Sequence, residues 1–200
     1  VTGVQTCALP IFTQPHVDLI TDPIDHIEAD AIVTADGDRH EVDVIVFATG
    51  FHANRYLWPM EIVGRDGTVL GEQWGDEPTA YLGITIPNFP NLFCLYGPGT
   101  NLASGGSLIF HSECQMRYVL GCLALMLEHG ARSIECTRDA HDDYNERLQA
   151  ELATMVWSHP SIRHSWYRNE SGRIFILSPW RLVDFWSWTR APDADAFTLR

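Results

Sequence analysis

Basic residues are scarce in this 200-residue chain: 13 Lys and Arg stand against 26 Asp and Glu, a formal net charge of -13 at pH 7. Nucleic acids and anionic membranes are gripped by clustered cations, so neither is expected as a partner, and any phosphate must be met by backbone N–H groups or elsewhere. Cysteine is present but unpatterned. Cys7, Cys94, Cys114, Cys122 and Cys136 form no Cys-x-x-Cys pair and no zinc spacing, and their odd number suits reduced thiols in a cytoplasmic protein without disulfides. No apolar run approaches the ~20 residues of a membrane-spanning helix, since Tyr118 to Leu127 is the longest. Internal repeats and low-complexity segments are missing too.

The motifs of several catalytic classes are also lacking. There is no Gly-x-Ser-x-Gly nucleophile elbow, and scattered histidines spell no triad. His111 and Cys114 stand three apart on one predicted helix with no further ligand near them in sequence, so no metal is expected. Asp139, Asp142 and Asp143 fall at a helix start, where carboxylates act as caps and complement the dipole. No dinucleotide fingerprint Gly-x-Gly-x-x-Gly occurs: Gly97-Pro98-Gly99-Thr100-Asn101-Leu102 starts as one, but Leu102 occupies the third glycine's place.

What is there is a globular pattern. With 46% hydrophobic residues the chain can bury a sizeable core in one or two domains. The stretch Asp43 to Phe51, DVIVFATGF, carries four apolar residues without alternation, Val44 to Phe47, which predicts a central strand buried on both faces of a parallel sheet. Ala48, Thr49 and Gly50 then bring small side chains to its carboxyl end, where a ligand could approach the backbone.

Val1 to Phe12 carries no charge and fits nothing downstream; it resembles translated sequencing-adaptor readthrough and is expected to be non-native. From His16 the pattern becomes regular. HVDLIT and Ile24 to Ala29 read as strands, and Ala31 to Ala35 with His40 to Val46 read as a hairpin about Asp36-Gly37-Asp38. A second hairpin is predicted about Arg65-Asp66-Gly67-Thr68, with Glu61 to Val63 and Thr68 to Leu70 as arms. Ala80 to Ile86 and Asn91 to Tyr96 read as strands either side of a two-proline turn.

Gly97 to Gly106 is glycine-rich and precedes a helix starting near Ser107, so backbone N–H groups and a helix dipole face whatever lies ahead of it. That helix, 108 to 129, is apolar all round and is predicted to be buried between layers, with Val119, Leu120, Leu123 and Leu127 on one stripe. A short strand, Ser133 to Thr137, precedes a second helix from about Asp139 to Trp157, with Tyr144, Leu148, Leu152 and Met155 facing inward. The tail after Ser158 holds Trp166, Tyr167, Trp180, Trp186 and Trp188 among breaks at Pro160, Gly172 and Pro179, so it must fold down onto something.

DVIVFATGF, then NLFCLYGPGTNL, an apolar helix, and a tail with WSHP, SWYRN, GR and SPW together resemble the C-terminal part of flavin-dependent monooxygenases, most of all the Baeyer-Villiger type, hydroxyacetophenone and cyclohexanone monooxygenases included. The resemblance runs from His16 to about Asp195. It implies an α/β fold, the C-terminal part of a flavoprotein with two dinucleotide-binding domains, with a mixed sheet, a buried helix and an aromatic-rich C-terminal tail. Residues 13–158 would belong to the FAD- and NADP-binding domains and 159–200 would form a lid or tail.

The implied chemistry is redox, supplied by FAD with NADPH as reductant and O2 as co-substrate, inserting oxygen into a small-molecule ketone to give an ester or lactone. By the same resemblance Ala48, Thr49, Gly50 and Phe51 form the linker strand beside FAD, while Gly97, Asn101 and Leu102 belong to the loop over the flavin. Ala103, Ser104 and Gly105 form the pocket wall, and Trp166, Asn169 and Arg173 belong to the tail segment that closes on the nicotinamide cofactor. Both nucleotide fingerprints and the family's activating arginine are missing, so the remainder of the enzyme is expected N-terminal to this chain, which should not turn over alone. Oxidation of nitrogen or sulfur is the alternative within enzymes, and a truncated, non-catalytic α/β module the alternative outside them.

Overall fold

The computed structural model describes residues 9–49, 55–102, 106–160, 162, 165, 167–169 and 171–200. It divides into two compact units, one ending at Thr49 and one beginning at Gly50.

The first unit is a three-stranded antiparallel sheet of β1 (Ile24–Ile27), β2 (Ala31–Thr34) and β3 (Arg39–Glu41) in sequential order. The Asp-Gly-Asp turn forms where the sequence placed it. Thr34 donates its hydroxyl proton to Asp36 Oδ1 at 2.6 Å, and that same oxygen accepts the Asp38 N–H at 3.2 Å, an Asx-type turn that sets the β2–β3 register. Arg39 lies 2.8 Å from Glu28 and from Glu41 and also pairs with Asp30, which holds the Glu28 carboxyl below its usual range. These groups are exposed, so the cluster orders a surface more than it stabilises a core.

Two strand expectations in this unit fail. His16 to Thr21 is irregular and mostly exposed, and β3 stops at Glu41 where a strand to Val46 and beyond was predicted. Val44, Val46 and Phe47 are not buried: they lie outside any strand, without a sheet partner among the described residues, and Val46 is 82% exposed. An apolar strand is buried only when neighbouring strands take its N–H and C=O groups and helices cover both faces, and nothing described supplies either here.

The second unit contains α1 (Leu70–Trp74), α2 (Leu108–Glu128), β4 (Ile134–Cys136), α3 (Arg138–Ala153), α4 (Leu182–Trp188) and β5 (Phe197–Leu199). Its larger core gathers Tyr118 and Cys122 of α2, Tyr144, Leu148 and Leu152 of α3, Ile174 to Leu177 of the tail, and Phe197 of β5. A smaller one joins Leu70 and Trp74 to Ile86, Phe89 and Cys94. β4 pairs antiparallel with β5, so the end of the chain closes a sheet begun more than sixty residues earlier.

The second hairpin is reduced to one bridge, Val63 with Val69, around a 3-10 turn at Arg65–Gly67. Ala80 to Ile86 and Asn91 to Tyr96 are not strands either. Leu82, Gly83, Asn88, Asn91 and Tyr96 all have φ between 54° and 75°, and each left-handed residue turns the chain out of an extended path. Their apolar side chains still mark the interior, as Ile84 and Ile86 are fully buried. The apolar run was legible as core but not as strand.

Helix α2 begins as predicted, with Ser107 Oγ accepting the Phe110 N–H at 3.2 Å. It is not buried all round. The inward stripe is His111, Cys114, Gln115, Tyr118 and Cys122, while Ile109, Met116, Leu120 and Leu127 are exposed, Leu127 by 81%. Composition alone cannot orient a helix whose two faces are equally apolar. Helix α3 buries Tyr144, Leu148 and Leu152 as predicted but stops at Ala153, leaving half-buried Met155 beyond it, and it is capped by Thr137, whose hydroxyl oxygen accepts the Ala140 N–H.

The aromatic tail is stapled to α3 and contributes to the core. Trp180 donates its indole N–H to the Tyr144 hydroxyl at 3.1 Å, lies edge-on to Trp188 with centroids 5.1 Å apart, and Arg147 sits over both rings at 5.8 and 5.3 Å. A guanidinium shared by two indoles contributes about 1 kcal/mol. Arg147→Ala is therefore expected to lower the free energy of unfolding by roughly that amount, and a urea midpoint indistinguishable from the parent would show the stack to be idle.

Candidate functional site

The glycine-rich segment is a closely fitted turn. A Cβ on Gly97 would stand 2.5 Å from the Gly83 carbonyl oxygen and 2.9 Å from Cys94 Cβ, and one on Gly83, at φ +69°, would overlap Thr100 Cγ2 at 2.0 Å. These glycines allow two stretches of backbone to touch each other, which is a sufficient physical reason for them without a ligand. Thr100, wholly buried, donates to the Gly97 carbonyl at 2.6 Å and closes the turn.

Beyond it the loop is stitched to the tail. Asn101 N–H donates to the Ile176 carbonyl at 2.9 Å and Ser178 N–H donates to the Asn101 carbonyl at 2.8 Å, a parallel bridge between Asn101 and Leu177. Tyr96, at φ 55°, donates its hydroxyl proton to Asn101 Oδ1 at 3.1 Å and accepts the Leu102 N–H at 3.1 Å. Gln115 of α2 accepts the Tyr96 N–H at 2.6 Å. Asn101 Nδ2 makes no hydrogen bond to the described residues and the side chain is half-buried, which leaves one donor on an otherwise fixed loop.

The tail residues singled out by sequence form their own cluster. Asn169 Oδ1 accepts the Arg173 N–H at 2.8 Å and the Ser171 hydroxyl at 2.7 Å, a turn locked by its own side chain. Glu77 is the common partner: its carboxylate takes the Arg173 guanidinium and the Asn169 amide at 3.4 Å, with the Ser171 hydroxyl oxygen 3.2 Å away. Arg168 instead donates to the carbonyls of Trp157, at 2.7 and 3.1 Å, and of His159.

Asn101 is thus bridged to the tail, Leu102 is tied to Asn101 through Tyr96, Gly97 packs instead on Gly83 and Cys94, and Asn169 meets Arg173. Ala48 and Thr49 end the exposed irregular segment of the first unit. Gly50, Phe51, Ala103, Ser104, Gly105 and Trp166 lie outside the described residues. Sequence reading missed Tyr96, Gln115 and Glu77. A lone amide on an apolar helix, four residues after His111, was the available signal for Gln115; Glu77 gave none.

The inward stripe of α2 is not reactive. His111 is wholly buried, stacked on Phe185 with centroids 3.7 Å apart and edge-on to Tyr96, and burial pushes its imidazole down to about 4. Burial pushes the Cys94 and Cys136 thiols up to about 11 and Cys122 to about 12, so these sulfurs stay protonated and poorly nucleophilic at neutral pH. Among the described residues no group of three His, Cys, Asp or Glu stands close enough to hold a metal, and no helix is long and apolar enough to cross a membrane.

No family model matches the chain. Relatives are nonetheless clear. An uncharacterized monooxygenase of Sinorhizobium fredii is 40% identical over 185 residues, 92% of this chain and 28% of that protein. A Baeyer-Villiger monooxygenase of Pseudomonas aeruginosa is 39% identical over 191 residues, 95% and 36% of the two chains. An FAD-binding monooxygenase of Aspergillus niger is 38% identical over 163 residues, 80% and 26%. Among solved structures, cyclohexanone monooxygenase from Rhodococcus sp. Phi1 bound to NADP+ superposes with a TM-score of 0.77 at 28% identity, covering 95% of this chain and 37% of that one. The chain therefore spans only about a third of the length of the proteins it matches. In sequence and in fold it is similar to the C-terminal part of the flavin-dependent monooxygenases of the Baeyer-Villiger kind.

Proposed function

We propose that this chain is the C-terminal part of a longer FAD- and NADPH-dependent monooxygenase that inserts one oxygen atom of O2 into a ketone, with the remainder of the enzyme preceding it. The observation carrying this reading is the 39% identity to a Baeyer-Villiger monooxygenase sustained over 191 residues. The exposed apolar segment Val44 to Phe47 supports it, because a run so apolar is suited to burial in a sheet completed by further strands.

The donor set fits a flavin edge. Asn101 keeps an amide N–H₂ for a ring carbonyl or nitrogen, on a loop whose course is already fixed by Gly83, Thr100 and Gln115. Gly97 to Leu102 would lie over the flavin, Ala48 to Phe51 beside it, and Ala103 to Gly105 would line the ketone pocket. Trp166, Asn169 and Arg173 would meet the nicotinamide cofactor, Arg173 after exchanging Glu77 for an anionic group. The tail's aromatic side chains would exclude water from the reacting centre. FAD, when bound and reduced by NADPH, would supply the electrons that activate O2, the source of the transferred oxygen.

The test is stoichiometric. In the full-length enzyme a cyclic or aryl ketone is expected to accelerate NADPH oxidation, with about one ester or lactone formed per NADPH. Acceleration by amines or sulfides with no ester from any ketone would assign the chain to the heteroatom-oxidising branch instead, and a full-length protein without flavin absorbance would leave the non-catalytic module.

A further inference from the structure

Gln115 is a fully buried amide on an apolar helix, and only one end of it is used. Its Oε1 accepts the Tyr96 N–H at 2.6 Å, while its Nε2 is buried without a partner among the described residues. A core position that tolerates an orphaned donor is kept polar by what its other end does. That end holds the backbone of Tyr96, which sits at φ 55°, a conformation L-residues rarely adopt unless their surroundings over-determine it.

Tyr96 is held at both extremities. Gln115 fixes its N–H, and its hydroxyl is fixed between Asn101 Oδ1 and the Leu102 N–H, each at 3.1 Å. The ring is therefore a strut between helix α2 and the loop, with His111, one turn before Gln115, edge-on to its face at 6.3 Å. Releasing the N–H frees Tyr96 to leave the left-handed region, which swings the phenol and undoes both contacts that orient Asn101 and Leu102. We infer that Gln115 is a positioning residue: through Tyr96 it sets the orientation of the Asn101 amide and the Leu102 backbone, the groups this chain presents to the flavin, which rests on the functional reading above.

Gln115→Met keeps the length and removes the acceptor, and it also removes the orphaned donor, so the fold is not expected to suffer in proportion. Gln115→Glu keeps an acceptor oxygen on the same stem. In the 200-residue chain, amide hydrogen exchange at Tyr96 and Leu102 is expected to quicken about tenfold in Gln115→Met, the equivalent of about one net hydrogen bond, while amides within α2 are unchanged, and Gln115→Glu restores it. Tyr96→Phe, which spares the helix contact, is expected to release Leu102 but not Tyr96. Unchanged exchange at both positions in Gln115→Met, or equal quickening throughout α2, overturns the positioning role.

In the full-length enzyme, hydrogen peroxide released per NADPH is expected to rise about tenfold in Gln115→Met, matching the loosened hydrogen bond, and to return in Gln115→Glu. Quickened exchange with an unchanged peroxide ratio would leave the strut intact and overturn instead the assignment of this loop to the flavin.

Discussion

Gly83→Ala is expected to cost about 3 kcal/mol, a methyl group's worth of volume with an effect out of proportion to its size. The residue sits at φ +69°, where an L side chain costs roughly 1–2 kcal/mol. Its Cβ would also fall 2.0 Å from Thr100 Cγ2 and 2.9 Å from the Pro98 carbonyl oxygen, an overlap that the buried Thr100 cannot escape without releasing its bond to Gly97. Overpacking of this kind adds about 1–3 kcal/mol. For a chain of this size the thermal midpoint should fall by roughly 6–12 °C. Thr100→Ser removes the clashing methyl and keeps the hydroxyl, so adding it to Gly83→Ala should recover part of the loss. A midpoint within a degree of the parent in Gly83→Ala, or strict additivity of the pair, would show that the loop is not packed as described.

Acid should destabilise the second unit well before the carboxylates titrate, and His111 is the reason. Burial against Phe185 holds its imidazole near 4, against about 6.5 in an unfolded chain. As pH falls below about 6.5 the unfolded state takes up a proton that the folded state refuses, so stability drops with pH until the folded value near 4 is reached. The window of about 2.5 units corresponds to about 3 kcal/mol. The sign is opposite for the exposed His26, raised by Asp25, whose contribution is present at low pH and fades as pH rises. His111→Phe removes both unpartnered ring nitrogens and should be near neutral in stability at pH 7 while flattening the slope between pH 6.5 and 4. If denaturant midpoints of parent and variant fall in parallel over that range, the buried imidazole is not the group responsible.

Helix α3 shows how far the sequence could be read. Its acidic first turn and its inward stripe Tyr144, Leu148, Leu152 were legible, because a helix closes its own hydrogen bonds and needs a partner only for one face, whereas its cap is Thr137, a residue read as the end of the preceding strand. The start of α2 at Ser107 and the Asp36–Gly37 turn were legible for the same reason, each being completed by residues two to four apart. Val44 to Phe47 marks the opposite case. The pattern predicted burial, yet Val44, Val46 and Phe47 stand exposed, because whether they form a buried strand depends on neighbours that sequence periodicity cannot name.

The candidate site divides along the same line. From the sequence, Gly97 to Leu102 was readable as a glycine-rich turn before a helix, and the motifs as resembling flavin-dependent monooxygenases. Only the tertiary structure decided that Gly83 and Thr100 shape that turn, that Asn101 is bridged to Leu177, and that Glu77 takes the charge of Arg173. It also decided which face of α2 is inside, placing Gln115 under Tyr96 and leaving Leu127 in solvent. The physical reason is range: caps, turns and helical stripes are settled by residues within a few positions of one another, whereas strand pairing, backbone contact through glycine and the choice between two apolar faces are settled by groups brought together across the fold.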